Sequence, residues 1–169
     1  MALKYFIAFA FLVVYIVYGR ELGFTTCSPL WTHLTYSFQH GSILHLIINT
    51  LVFISVFRVM EKFIRPLLLF VIIYTISTVV SFAAMEATPT VGSSGMIYAM
   101  FGMETVIVIF NSATAKQKRL FFFSIALMLC MSLVNGGSSF MVHIASFTFG
   151  ALFFMAKRER DLYRSPSHN

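Results

Sequence analysis

The chain has 169 residues, of which 59% are hydrophobic and only 11% charged, with a mean hydropathy of +0.85. A soluble domain carries roughly a quarter charged residues, so this composition excludes one and points to an integral membrane protein. The length allows one compact helical bundle. The net charge of +6 raises nucleic acid as a partner, but its distribution, below, argues against it.

A spanning helix needs about 20 mainly apolar residues. Six stretches qualify or nearly do: 3–18, 41–60, 66–85, 94–111, 119–135 and 141–156. Pro29, Pro66 and Pro89 fall at or near the breaks between them, where a missing N–H does least harm. The first stretch has Lys4 near its start, like a signal peptide, but "VYIVYGREL" lacks an A-x-A-like cleavage site. Retention as a short membrane helix, with Lys4 snorkelling, is the better reading.

Six spans put both termini on one side. That side then carries Lys4, Arg58, Lys62, Arg65, Lys116, Lys118, Arg119, Lys157, Arg158, Arg160 and Arg164, and the other side Arg20 alone. This is the asymmetry of the positive-inside rule, so both termini are expected in the cytoplasm. The basic charge is topological and no nucleic acid is expected. Residues 1–157 form the expected membrane domain and 158–169 a basic tail with a disordered end. Cys27 lies in a loop and Cys130 inside an apolar run, so no disulfide is expected.

Three polar features now fall at one depth, below the outer face. His40 opens the second stretch, which holds His45 and Asn49, in "HGSILHLIIN". His45 and Asn49 are four apart and share a helix face. Interhelical hydrogen bonding is the plain explanation. A metal reading fails on spacing, because His40 and His45 are five apart and no third strong ligand is evident. The sharper reading makes His45 and Asn49 donors to a developing oxyanion.

The fourth stretch opens with Ser94 in "TVGSSGMIYAMFG", flanked by glycines that include Gly92 and Gly95. Glycine runs in membranes more often mean close packing. Yet a serine at a helix N-terminus has free N–H groups and a positive dipole end beside it. It needs only a base to become a nucleophile. His143, opening the sixth stretch in "HIASFTFG", is the candidate. His143, Ser146 and Gly150 share a face, and Gly95, Ala99 and Gly102 form a second small-residue stripe. If the stripes meet, His143 lies beside Ser94, and Tyr98 is placed to stack on the imidazole. Glu104 lies about 15 Å deeper, too far to complete a triad, and a structural hydrogen bond suits it better than catalysis. A Ser–His dyad follows, without metal or cofactor.

Together "HGSILHLIIN", "GSSG" and "HIASFTFG", in this order and topology, resemble the rhomboid intramembrane serine proteases, in a minimal six-helix, bacterial-type form. The resemblance runs from Trp31 to Gly150. It implies an all-α bundle of six transmembrane helices in a bacterial inner membrane. It implies Ser94 as nucleophile and His143 as base, with His45, Asn49 and the Ser94 N–H as oxyanion hole. By the same resemblance His40 supports the second helix, Tyr98 packs on the catalytic His, and Glu61 is a structural glutamate at the cytoplasmic end. The Phe-rich fifth helix and the 135–140 loop, with Gly136 and Gly137, would form a gate and cap. Two departures stand out. Trp31 is followed by Thr32 where the family usually has Arg, and Ser146 stands where glycine is usual.

The expected activity is hydrolysis of a peptide bond in a substrate's transmembrane segment near the outer face. Helical carbonyls are internally paired, so such a segment must unwind first. Substrates should therefore carry helix-destabilising residues near the cut and a small residue before it. The alternative is an inactive rhomboid-like binding or chaperone protein, which typically lacks the Ser or the His. A small transporter would want a midplane site and broken helices, which this sequence does not suggest.

Overall fold

The computed structural model describes residues 2–18, 22–84, 88–110, 114–134 and 139–164, leaving out the side chains of 127, 130–134 and 162–164. Among the described residues the fold is all-α. Six long helices occupy the six apolar stretches: α1 (Leu3–Tyr18), α3 (Ile43–Met60), α4 (Pro66–Ala83), α5 (Ser94–Phe110), α6 (Ala115–Val134) and α7 (Phe140–Arg164). A short helix, α2 (Thr32–Thr35), and a 3-10 turn (Tyr36–Phe38) lie in the 19–39 connection, where apolar content alone suggests only irregular chain. By length and composition α3, α4 and Phe140–Asp161 of α7 can cross a membrane, while α1 and α5 are shorter apolar helices.

Local chemistry sets the helix ends. Ser42 caps α3, its hydroxyl accepting from the His45 N–H at 3.2 Å. Pro66 opens α4 at a position where its absent N–H costs nothing. Before α6, the Thr114 hydroxyl accepts from the Gln117 N–H while the Gln117 side chain accepts from the Thr114 N–H. This capping box starts the helix at 115, where hydropathy alone places it at 119. At the other end α7 runs on to Arg164, past the apolar limit at 156. Charge ends a hydrophobic run without ending a helix: Lys157 pairs with Asp161 one turn on.

The central helix is α5. Every residue from Gly95 to Met103 is buried, as expected of a helix that is apolar or small on all sides. Around it pack Phe53, Phe57 and Met60 of α3, Leu69 and Ile73 of α4, and Phe11 of α1, all fully buried. The outward faces are apolar too: Phe6, Ile16, Leu44, Leu67 and Phe123 are each more than 60% exposed. An exposed apolar belt of that breadth suits lipid, not water.

Two expectations are corrected. Lys4 does not snorkel. It is buried, and its ammonium bonds the Glu61 carboxylate at 2.6 Å. A buried charge needs such a partner, and the pair pins the start of α1 to the end of α3. Gly95 is not part of the stripe facing α7. A Cβ there would collide with the Ser77 hydroxyl of α4 and lie 3.1 Å from the Tyr36 hydroxyl. Arg20, Gly136, Gly137 and the end of the tail lie outside the described residues.

Candidate active site

The seam between α5 and α7 is built on absent side chains. A Cβ on Gly102 would overlap the Phe147 carbonyl, and one on Gly150 the Ala99 carbonyl. The two small-residue stripes therefore meet backbone to backbone at Ala99, Gly102 and Gly150. Ser146, fully buried, lies one turn before Gly150. Because α5 and α7 both begin at the same end of the bundle, their first turns are brought level.

Ser94 is the first residue of α5, and His143 lies in the first turn of α7, its N–H bonded to the Ser139 carbonyl at 3.0 Å. The Ser94 hydroxyl oxygen and His143 Nε2 are 2.8 Å apart. The Tyr98 ring lies 4.3 Å from the His143 ring at an interplanar angle of 21°. This stack fills one side of the imidazole and restricts its rotation. Hydroxyl and imidazole thus stand in the relation that lets the ring accept a proton as the oxygen attacks.

The wall beside Ser94 comes from α3. Two residues before Ser94 the chain passes through Gly92 with φ of +121°, a conformation open to glycine and strained for other residues. A Cβ at Gly92 would lie 2.9 Å from His45 Cε1 and 3.1 Å from Asn49 Nδ2. Glycine is thus required twice, by its dihedral angle and by this close approach. Asn49 and His45 also bond each other, Nδ2 to Nε2 at 2.9 Å. An amide nitrogen can only donate, so here the imidazole Nε2 accepts. One amide N–H of Asn49 remains beyond that bond.

His40 stands behind this wall, fully buried. Its Nε2 is 3.5 Å from the Ser93 hydroxyl, and its ring meets those of His45 and Phe11 edge-on at 5.2 and 5.4 Å. Burial first, then the neighbouring His45, pulls His40 down to about 3, so it serves as a neutral hydrogen-bonding and packing group.

Several supporting contacts have no counterpart in the motifs of the sequence. The Gly92 N–H donates to the Tyr36 carbonyl at 3.0 Å, and the Tyr36 hydroxyl bonds the Ser77 carbonyl and hydroxyl at 2.9 and 2.6 Å. Phe24 and Thr90 form an antiparallel bridge between the α1–α3 connection and the segment leading to Ser94. His33 lies stacked on Phe82 with its Nδ1 3.0 Å from the Ser81 hydroxyl. Thr32 is buried, its hydroxyl donating to the nearby Pro29 carbonyl at 2.7 Å. A signal for these contacts existed: Tyr74, Ser77, Thr78 and Ser81 form a polar stripe at helical spacing in an apolar helix.

Among the described residues no three His, Cys, Asp or Glu side chains gather as metal ligands. A family model described as Rhomboid domain matches residues 28–160, most of the chain. No curated protein matches it.

Proposed function

This chain belongs to the rhomboid family, and from that premise we propose that it is an intramembrane serine endopeptidase working through a Ser94–His143 dyad. Rhomboids are generally intramembrane serine proteases, though the family includes inactive members. The observation that carries the active reading is the 2.8 Å approach of the Ser94 hydroxyl to His143 Nε2 at the start of a buried helix.

In this reading His143 accepts the Ser94 proton as the oxygen attacks a peptide carbonyl. The positive end of α5 and the Ser94 N–H then face the forming oxyanion. Asn49 donates its remaining amide N–H to the same oxygen, and His45 holds the Asn49 side chain in place through the Nδ2–Nε2 bond. Tyr98 keeps the imidazole in plane for returning the proton to the leaving amine. Gly92 lets the segment before Ser94 lie against His45 and Asn49, and Gly95 lets the first turn of α5 lie against Ser77.

The same reading takes all six long helices as spans, with both termini in the cytoplasm and the dyad near the outer face. Substrates are membrane proteins whose transmembrane segment unwinds locally, since a helical carbonyl is already hydrogen-bonded.

The test is labelling by a fluorophosphonate probe, together with cleavage of a model single-span substrate, in wild type, Ser94→Ala and His143→Ala. Wild type should label and cleave, and both variants should fall to background while still eluting as folded protein. Undiminished cleavage by Ser94→Ala would sink the mechanism. A folded wild type that neither labels nor cleaves would favour the inactive, binding role.

A further inference from the structure

The far end of α5 carries a second feature that the dyad does not use. Phe110 lies 16 residues after Ser94, about 24 Å along the helix. Here the last turn of α5, the lower part of α7 and the α3–α4 turn enclose a pocket of about 300 Å³. Its inner wall is apolar, with Val106, Ile107 and the buried Phe154. Its mouth holds Lys157, Arg158 and Asp161. The pocket exists because α7 continues beyond its apolar part: residues 154, 157, 158 and 161 follow helical spacing and share one face.

The two cations differ. Lys157 pairs with Asp161 and leans over the Phe154 ring at 5.9 Å. Arg158 lies 4.1 Å over the exposed Phe110 ring, and among the described residues no carboxylate forms an ion pair with it. The ring gives the guanidinium a fixed seat, and a guanidinium carries a fork of N–H donors suited to phosphate oxygens. A fixed cation above an apolar cleft matches an amphipathic anion. Soluble phosphate would leave most of that cleft unfilled.

We propose that this pocket binds one anionic glycerophospholipid, with its phosphodiester on Arg158 and its acyl chains along Val106, Ile107 and Phe154. Lys62, beside the pocket-lining Phe63, adds positive charge, and the surrounding end of the bundle holds most of the chain's lysines and arginines. Basic pockets between helices at a membrane face are suited to such headgroups. Bound there, the lipid joins α5 to α7 at the end remote from Ser94.

Native mass spectrometry tests this after passage of the purified protein through nanodiscs of phosphatidylcholine with or without phosphatidylglycerol. Wild type should retain one phosphatidylglycerol, and Arg158→Gln should lower retention about fivefold, the effect of one cation near a membrane surface. Arg160→Gln, an exposed charge outside the pocket, should retain lipid as wild type does. If Arg158→Gln does not fold, Phe110→Leu, which removes the ring beneath the guanidinium, should lower retention likewise. The proposal is overturned if the pocket variant retains lipid like wild type, or if Arg160→Gln loses it equally. It is also overturned if phosphatidylcholine is retained equally, or if glycerol phosphate stabilises the protein as well as the lipid does.

Discussion

The α5–α7 seam and helix α6 are attached to the same core in opposite ways. At the seam, backbone touches backbone through Gly102 and Gly150. On α6, Ile125 is buried and Phe121 meets Phe101 edge-on at 6.4 Å, while Leu120, Phe122 and Phe123 point outward. The seam fixes the distance between the first turns of two helices, and so between Ser94 and His143. Among the described side chains α6 meets the core less closely, and none of its backbone is part of the seam. Under the proposed function, this contrast would divide the work between neighbouring helices, with fixed chemistry at the seam and access along α6.

The largest effect should come from closing the space that the seam depends on. Gly150→Val places carbon on the Ala99 carbonyl, and backbone cannot move aside as a flexible side chain does. A loss of about 3 kcal/mol is expected, the upper end of ordinary overpacking. Thermal denaturation in detergent should show it, and fluorophosphonate labelling of the surviving fold should fall as Ser94 and His143 separate. A variant with unchanged melting and labelling would mean that the seam is not the element that sets the dyad.

Next comes the wall on α3. Losing one oxyanion donor typically lowers kcat by about 10²–10³-fold. Asn49→Ala should reach that range in cleavage of the single-span substrate, with folding retained. His45→Ala should cost less, because in this arrangement its Nε2 accepts from Asn49 and acts on the oxyanion through it. The reverse order would assign the direct contact to His45.

Much of the site is legible in the amino-acid sequence, for a physical reason. A polar side chain in an apolar helix is costly, so His45, Asn49, Ser94 and His143 stand out against their surroundings. Helix positions follow from hydropathy for a similar reason, since lipid imposes both length and composition. Hydropathy fails where the helix and the apolar run end at different places. The capping box at Thr114 starts α6 early, and charged helix formers carry α7 to Arg164. It fails again for contacts between distant segments. The Lys4–Glu61 pair spans 57 positions and the Tyr36–Ser77 bond 41; the polar stripe on α4 marks Ser77 as a bonding residue, but nothing local names the distant partner of either. Gly95 shows a subtler limit. A small residue marks a close approach but does not name the neighbour, which here is Ser77 of α4 and not α7.

The smallest effect is expected on α6, and it decides whether the contrast is real. Phe123 is 67% exposed, so Phe123→Ala removes a ring that touches little within the chain. Stability should change by less than about 0.5 kcal/mol, as for ordinary surface substitutions. Thermal denaturation beside Gly150→Val makes the comparison direct. A loss of about 2 kcal/mol or more, far above that surface range, would mean that another protein surface covers this face of α6 in the membrane. The helix would then be held from outside, and its shallow packing within the chain would no longer argue for movement.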